Sequence, residues 1–522
     1  MVENRLETAL ERGKFAVTCE MVPGRGAFEA PLEKSLQVAR DIYATGRVDA
    51  ISITDNPGGK PAILADAIAR ELDEDGVCTL THFTCKDRSR NQIAAQLYAL
   101  ERAGLHNVLF MTGDYQTSGW QGQPRPDFDL DSVQIQQLAH QMNEGLSVKT
   151  PRGTKVEQPT HFFCGCVVNP FKYREGELIP QYLKLEKKLI AGARFVIAQV
   201  GYDARKLQEL LFYLEDRHYD VPVIANVFVL TRGAAKLMRS GAIAGVEISD
   251  ELAAEVEQDA AEQDGGRARR VERAARQVAI ARGLGCAGVH IGGLGLDAVM
   301  LEEVLDRAEQ IGSSWRALVP DSGYGRAGGC YLYAPELAAD GTPTGLNERK
   351  LDIVREDIGG RRLFKSYRLS RFFHYWMLTL DKRLGKCLAW NMDRKEKKYG
   401  GPNFHHRIEH AGKAFIYGCK DCGDCGLEAT IHSCPMAQCP KSQRNGPCGG
   451  SDDGWCEVYP HERYCIWYMA YHRANRYGEL ERMESFITPP IDWSLRGTSA
   501  WSNYTHRRDN AAHRTPIDIG LD

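Results

Sequence analysis

The stretch "NVLFMTGD" (Asn107–Asp114) sets five mostly apolar, β-favouring residues directly against a threonine, a glycine and a carboxylate. A run this short and this apolar reads as a buried strand, and the polar triplet as what stands at its carboxyl end. The same construction recurs along the chain. Upstream lie "FAVTC" (Phe15–Cys19) followed by Glu20, "DAISI" (Asp49–Ile53) followed by "TDN" (Thr54–Asn56), and "CTLTHF" (Cys78–Phe83) with His82 inside it. Downstream lie "FFCGCVV" (Phe162–Val168) followed by "NPF" (Asn169–Phe171), "FVIAQV" (Phe195–Val200) with Gln199 near its end, "PVIANV" (Pro222–Val227), and "GVHIGG" (Gly288–Gly293) with His290. Helix-period segments such as "RNQIAAQLYALERAG" and "IPQYLKLEKKLIAGA" separate them.

Eight strands alternating with helices imply an α/β fold with a parallel sheet. The count suits a closed (β/α)8 TIM barrel, with a doubly wound open sheet as the alternative. A further run, "IAGVEI" (Ile243–Ile248), is a candidate ninth strand. In a barrel the strand C-termini converge on one mouth, where such enzymes keep their chemistry. Singly, each polar residue suits a cap or a turn; recurring at strand end after strand end, they point to a site. A carboxylate such as Glu20 beside an apolar strand is expected to have a raised pKa and to act as a general acid. Cys164 and Cys166 point the same way from one strand and read as small barrel-core residues.

The totals narrow the classes. With 522 residues and 43% hydrophobic content the chain can form two or three domains with sizeable cores. A net charge of −3, from 66 basic and 69 acidic residues, gives no electrostatic footprint for nucleic acid or an anionic membrane. The run "GGRARRVERAARQ" (Gly265–Gln277) reads as a solvated helix face. The opening "MVENRLETALERGKF" has no apolar core of a secretory signal, and no apolar run is long enough to span a membrane. A cytoplasmic enzyme is expected, and there clustered cysteines bind metal more readily than they form disulfides.

The pattern changes after residue 312. Strand–helix alternation stops, aromatics abound, and a separate domain is expected over 313–522. Its cysteines crowd together: Cys419, Cys422, Cys425, Cys434, Cys439, Cys448, Cys456 and Cys465. The first three form C-x2-C-x2-C, and Cys434 and Cys439 are each followed by proline, a habit of iron–sulfur sites. Eight thiolates suffice for two [4Fe–4S] clusters; zinc in closed tetrahedral sites is the competing reading, and spacing does not say which cysteines share a site. His406 and His410 stand four apart on one helix face and read as packing residues, and Cys330 and Cys387 as core thiols or remote ligands. The polar tail "NYTHRRDNAAHRTPIDIGLD" (Asn503–Asp522) is expected to wrap a partner or to be disordered.

Across about residues 1–312, "FAVTCEMVPGRG", "ISITDNPGG", "THFTC", "NVLFMTGD", "GARFVIAQVGYD" and "VPVIANV" resemble, in order and spacing, the methylenetetrahydrofolate reductases. The resemblance implies a flavin-bearing barrel that interconverts 5,10-methylene- and 5-methyltetrahydrofolate, with FAD favoured and FMN the alternative. Carried over by position, Glu20 matches the general acid, Asp114 the acidic residue near flavin and pterin, and Gln199 the glutamine that binds the pterin. Thr54, His82, Thr112, Gly113 and Asp114 match flavin contacts, and Asn169 falls where many relatives place a histidine near the phosphates. Thr112 replaces an arginine common before Gly-Asp, and the aromatic run after the glutamine is reduced to "VGY", leaving Tyr202. No G-x-G-x-x-G fingerprint follows a strand, and this family needs none.

The cysteine block and "RYCIWYMAYHR" resemble the MetV-type C-terminal domain of anaerobic one-carbon metabolism. That likeness implies electron entry through clusters from ferredoxin or an electron-transfer partner subunit, in a hetero-oligomer. Two other readings stay open: the C-terminal half is only a zinc-stabilised docking module, or the barrel belongs to a folate- or corrinoid-dependent methyltransferase.

Overall fold

The computed structural model describes residues 3–353, 365–375, 386–387, 390–392, 394 and 404–517. Eight strands form a closed barrel: β1 (Ala16–Met21), β2 (Ala50–Ile53), β3 (Thr79–Thr84), β4 (Asn107–Met111), β5 (Phe163–Val168), β6 (Phe195–Ala198), β7 (Val223–Phe228) and β8 (Gly288–Gly292). Each pairs in parallel with the next, and β8 closes on β1 in the register Ala16↔Gly288 to Cys19↔Ile291. The barrel expectation holds, and the open sheet falls away.

Alternation along each strand sorts side chains into two cores. Ala16, Ala50, Leu80, Leu109, Phe163, Phe195, Ile197 and Ile224 fill the lumen, and Leu6, Ala9 and Leu10 of the helix Arg5–Glu11 join them as a plug. Gly165 is required here: a β-carbon on it would stand 2.3 Å from the Phe195 ring. The opposite residues, among them Val17, Cys19, Val108, Val196 and Val289, pack under the helices. Cys164 and Cys166 belong to this outer layer, not to the lumen, because they alternate with Phe163 and Gly165. Burial raises both thiols, that of Cys166 to about 11.

Ile243–Ile248 is not a strand. It is an irregular segment whose Gly245 has a positive φ and whose Ile243, Val246 and Ile248 pack against Leu252, Val256 and Met238. The sheet has closed without it, so no neighbour offers it a ladder.

The chain does not leave the barrel abruptly after residue 312. An antiparallel hairpin, Tyr333–Leu337 with Pro343–Leu351, lies against the helix Ala204–Asp216. Arg205 Nε donates to Asn347 Oδ1 at 2.6 Å, and Tyr333 OH to Asp216 Oδ2 at 2.6 Å. The cysteine-rich part carries short helices and two-residue ladders joined by loops. Its helix Ile466–Tyr477 packs on the barrel helix Glu175–Ile190, so closely that a β-carbon on Gly176 would lie 2.4 Å from His472 Nε2.

The tail does not hang free. Asn503, Asp509 and Asn510 are buried, and Thr515–Pro516 pairs with Phe486–Ile487. Asn510 donates through its backbone N–H at 2.8 Å and its side-chain amide at 2.6 Å to the buried carboxylate of Asp424. That carboxylate needs donors, which is why a polar tail can be internal; residues 518–522 lie outside the described residues. Among the described residues no helix is long and apolar enough to cross a membrane.

Candidate active site and cysteine centres

Above the apolar lumen the barrel turns polar. Thr18, Ser52, His82 and His290 form a buried layer, and Glu20 stands one step nearer the mouth. His290 Nδ1 pairs with Thr18 Oγ1 at 2.8 Å and His82 Nε2 with Ser52 Oγ at 2.7 Å; the two rings lie 6.2 Å apart. Glu20 Oε2 is 3.7 Å from His290 Nε2. Burial pushes the Glu20 carboxyl up, but the hydrogen bond and charge of His290, with His82 behind, hold it below the usual range. The raised pKa expected from sequence is therefore not what this geometry gives. Burial and the neighbouring His290 push His82 down to about 4, so it is neutral at pH 7.

The loops after β2 and β4 are welded together. Gly58 N–H donates to Asp114 Oδ2 at 2.7 Å, and a β-carbon on Gly59 would fall 2.0 Å from Tyr115 O. Behind them Arg88 makes a buried fork to Asp55, at 2.6 and 3.2 Å. Asp55 also accepts from Thr84 N–H and Oγ1 at 3.0 and 2.8 Å. Thr54 Oγ1 is buried without a partner among the described residues. Gly113 (φ +83°) has room for no side chain, with Thr84 Cβ 2.8 Å from where its β-carbon would sit. Gln199 Oε1 accepts the Val200 N–H at 2.9 Å.

The cysteine-rich segment reaches this same rim. Lys441 Nζ donates to Gly113 O at 2.8 Å, and Thr112 Oγ1 lies 3.2 Å from Gln443 Oε1. Lys184 Nζ, from the barrel, donates to Gln443 Oε1 at 2.8 Å and to Pro447 O at 3.0 Å. Asn169, expected near cofactor phosphates, has its amide engaged elsewhere: Nδ2 donates to Gly245 O at 2.8 Å and to Gly449 O at 3.1 Å. Tyr202 is buried in the cluster around Leu230 and Met238.

The eight cysteines separate into two neighbourhoods. Cys422 is pushed up to about 12 by burial and by the adjoining Cys425, Cys434 and Cys419. Cys439 is pushed up to about 12 by burial and by Cys448 and Cys456, and Cys465 is raised by burial, Cys448 and Cys439. The first set is thus Cys419, Cys422, Cys425 and Cys434; the second is Cys439, Cys448, Cys456 and Cys465. Lys441 and Gln443 lie between members of the second set, which therefore borders the barrel rim. Beside the first set, Lys413 Nζ lies 3.6 Å from Cys425 Sγ and 2.5 Å from Glu409 Oε1. His406 pairs with Asp421 at 2.9 Å and stacks on His410 in the same hollow. Cys330 is buried with its N–H on Tyr173 O, and Cys387 is exposed.

Among the described residues, the one trio of ligand atoms all within 4.8 Å of one another is Glu101, His106 and His161, outside both cysteine sets.

The model of the methylenetetrahydrofolate reductase family matches residues 5–309, more than half of the chain and the whole barrel. The chain belongs to that family. A second model, described as the methylenetetrahydrofolate reductase C terminal, matches residues 402–494, which include all eight clustered cysteines. The "probable methylenetetrahydrofolate reductase (NADPH)" of Caenorhabditis elegans is 22% identical over 267 residues, 49% of this chain and 36% of that protein, so the match spans about a third of the relative. Two solved structures resemble the barrel at low identity. A Clostridium thermocellum protein, described as binding two copies of 5-methyl-5,6,7,8-tetrahydrofolic acid, is 13% identical with a TM-score of 0.41, covering 58% of this chain and 97% of that one. Yersinia pestis dihydropteroate synthase is 11% identical with a TM-score of 0.31, covering 57% and 92%.

In this reductase-family barrel Glu20, Thr54, His82, Thr112, Gly113, Asp114 and Gln199 all lie in or beside the upper barrel at the C-terminal strand ends. Lys86, Arg88, Lys441 and Gln443 belong to the same region and were not singled out by sequence. Lys441 and Gln443 stand between cysteines in "CPKSQRNGPC", where two long polar side chains among the clustered thiols were the available signal.

Proposed function

We propose that the protein is a flavin-dependent reductase that interconverts 5,10-methylene- and 5-methyltetrahydrofolate, with electrons entering through iron–sulfur clusters on the cysteine-rich segment. The observation that carries this reading is the junction at β4. The expected flavin-contact run Thr112–Asp114 is bonded directly by Lys441 and Gln443, which stand two and four residues beyond Cys439. A one-electron centre held by the second cysteine set would thus border the hydride-transferring cofactor.

The residues present fit both groups. At the mouth, the buried Thr54 Oγ1 is left without a partner among the described residues and is available to a bound polar group. The two four-cysteine sets have the ligand number of two cubane clusters. When bound, a flavin supplies the hydride chemistry and the clusters supply single electrons.

The chain's own residues then bind, orient and move a proton. Asp114, fixed by Gly58 N–H, and Gln199, folded back on Val200, hold the pterin against the mouth. Glu20 hands a proton to the folate nitrogen as its ring opens. Because His290 holds Glu20 ionised, the proton must arrive when substrate binding displaces that contact, or pass through the histidine. The test is direct: the anaerobically purified protein is denatured and its supernatant analysed for flavin, iron and sulfide. Flavin with iron and sulfide is expected; no flavin removes the reductase reading, and zinc alone removes the electron-entry part.

A further inference from the structure

Two ammonium groups are buried at the rim. Lys441 is 3% exposed and Lys86 is 1% exposed. Lys86 Nζ donates to Asn56 O, and among the described residues no carboxylate stands within ion-pair distance of it. Lys441 pairs with Glu457 and also donates to Gly113 O at 2.8 Å. Asp114 acts on both through space, and the two lysines repel one another. A buried charge without full compensation is costly, and Lys86 keeps its ammonium on a backbone carbonyl beside the already paired Lys441, so this side of the rim is suited to a further anion. Lys441 comes from the cysteine-rich segment, some 330 residues from the strand end it touches.

We infer that Lys441, with Lys86, forms the positive pole of the flavin site, so that the barrel's cofactor pocket is complete only when the cysteine-rich segment is docked on it. The inference rests on the flavin reading above and adds to it a binding residue from outside the barrel. The anion it meets is carried by the flavin in one of two places: the phosphate, charged in both redox states, or the ring, charged when reduced. Gln443 is a positioning residue. Its Oε1 lies within hydrogen-bond distance of both Thr112 Oγ1 and Lys184 Nζ, which locks the loop that carries Lys441.

The experiment uses the full-length protein, loaded with flavin, as wild type, Lys441→Gln and Lys441→Arg. Two quantities are measured: the dissociation constant of oxidised flavin and the flavin midpoint potential, with iron and sulfide content as the check that the cysteine sets are intact. A phosphate partner predicts at least tenfold weaker binding in Lys441→Gln with the potential unmoved. A ring partner predicts unchanged binding of oxidised flavin and a midpoint lower by about 30 mV for each tenfold loss of preference for the reduced form. In both cases Lys441→Arg restores most of the effect. Because Lys441→Gln also strands Glu457, the double variant Lys441→Gln/Glu457→Gln is included and must show the same change. Loaded Lys441→Gln protein equal to wild type in both quantities overturns the inference alone, whereas wild type that binds no flavin overturns the reading beneath it as well.

Discussion

The barrel and the cysteine-rich segment differ in how much buried polar structure they carry. The barrel is a closed ladder of eight parallel strands around an apolar lumen, and its polar residues are confined to one end. The segment has few regular ladders, and beside an apolar cluster around Ile466, Trp467 and Met483 it buries a polar network: Asp424 is 2% exposed, Arg444 4% and Asn445 1%. Asp424 Oδ2 accepts from Arg444 Nη1 at 3.3 Å and Asp492 N–H at 3.2 Å, while Oδ1 takes the tail's Asn510. Volume-conserving changes are tolerated in an apolar core, whereas removing one member of a buried polar network strands the groups it paired with. The proposed function divides along the same line, with proton and hydride chemistry assigned to the barrel mouth and electron delivery to the segment.

The sharpest break in this comparison is expected from Cys422→Ser. It should abolish activity driven by a reduced low-potential carrier such as ferredoxin, while a dye that reduces the flavin directly still supports turnover; NADH driving full turnover in that variant would refute the division. Glu20→Gln should do the converse. Flavin reduction stays near wild type and the folate half-reaction slows about 10²–10⁴-fold, the span of general acid–base effects. Equal loss in both half-reactions would make Glu20 structural.

Asp424→Ala leaves Arg444 buried and uncompensated, a loss of about 3–5 kcal/mol that should fall on the segment alone. Hydrogen exchange should show the segment opening with the barrel's protection retained. His82 gives the barrel its own pH signature. Its folded pKa of about 4 lies below the ordinary histidine value, so the unfolded chain binds a proton that the native one does not. Stability is therefore lost as pH falls from about 6.5 towards 4, by about 3 kcal/mol at most, and His82→Gln should flatten that part of the curve. The smallest effect is expected at the barrel's periphery. Thr231→Ala removes the side chain that caps the helix Arg232–Arg239 and should cost about 1 kcal/mol in thermal unfolding, with no change in either half-reaction.

How much could be read from the chain follows the same division. All eight strands were legible, with ends within two residues of those observed, because apolar runs and periodicity are local signals. The positions of the mouth residues were legible for the same reason: each lies within or directly after its own strand. Glu20's low pKa was not, since His82 and His290 arrive from strands far along the chain. Ile243–Ile248 has a strand's composition, but closure of the sheet leaves it no partner. In the segment, spacing gave the cysteines but not their sorting into two sets, which depends on how loops with no period cross. The inward-facing tail and the reach of Lys441 to Gly113 are likewise contacts between residues that share no local pattern.

Asp131 has one further consequence. Its Oδ1 caps the helix Ser132–Glu144, in a capping box with Gln134, while its Oδ2 accepts the backbone N–H of Arg444 at 3.2 Å and of Asn445 at 3.0 Å. Those two residues leave the ribosome more than 300 positions after the aspartate. During synthesis the helix and the strands beside it can form first, with half of the carboxylate still wet, and the late-arriving loop then finds its receptor already oriented. The same side chain thus orders assembly in time: the cysteine-rich segment has a place to dock only after this corner of the barrel exists.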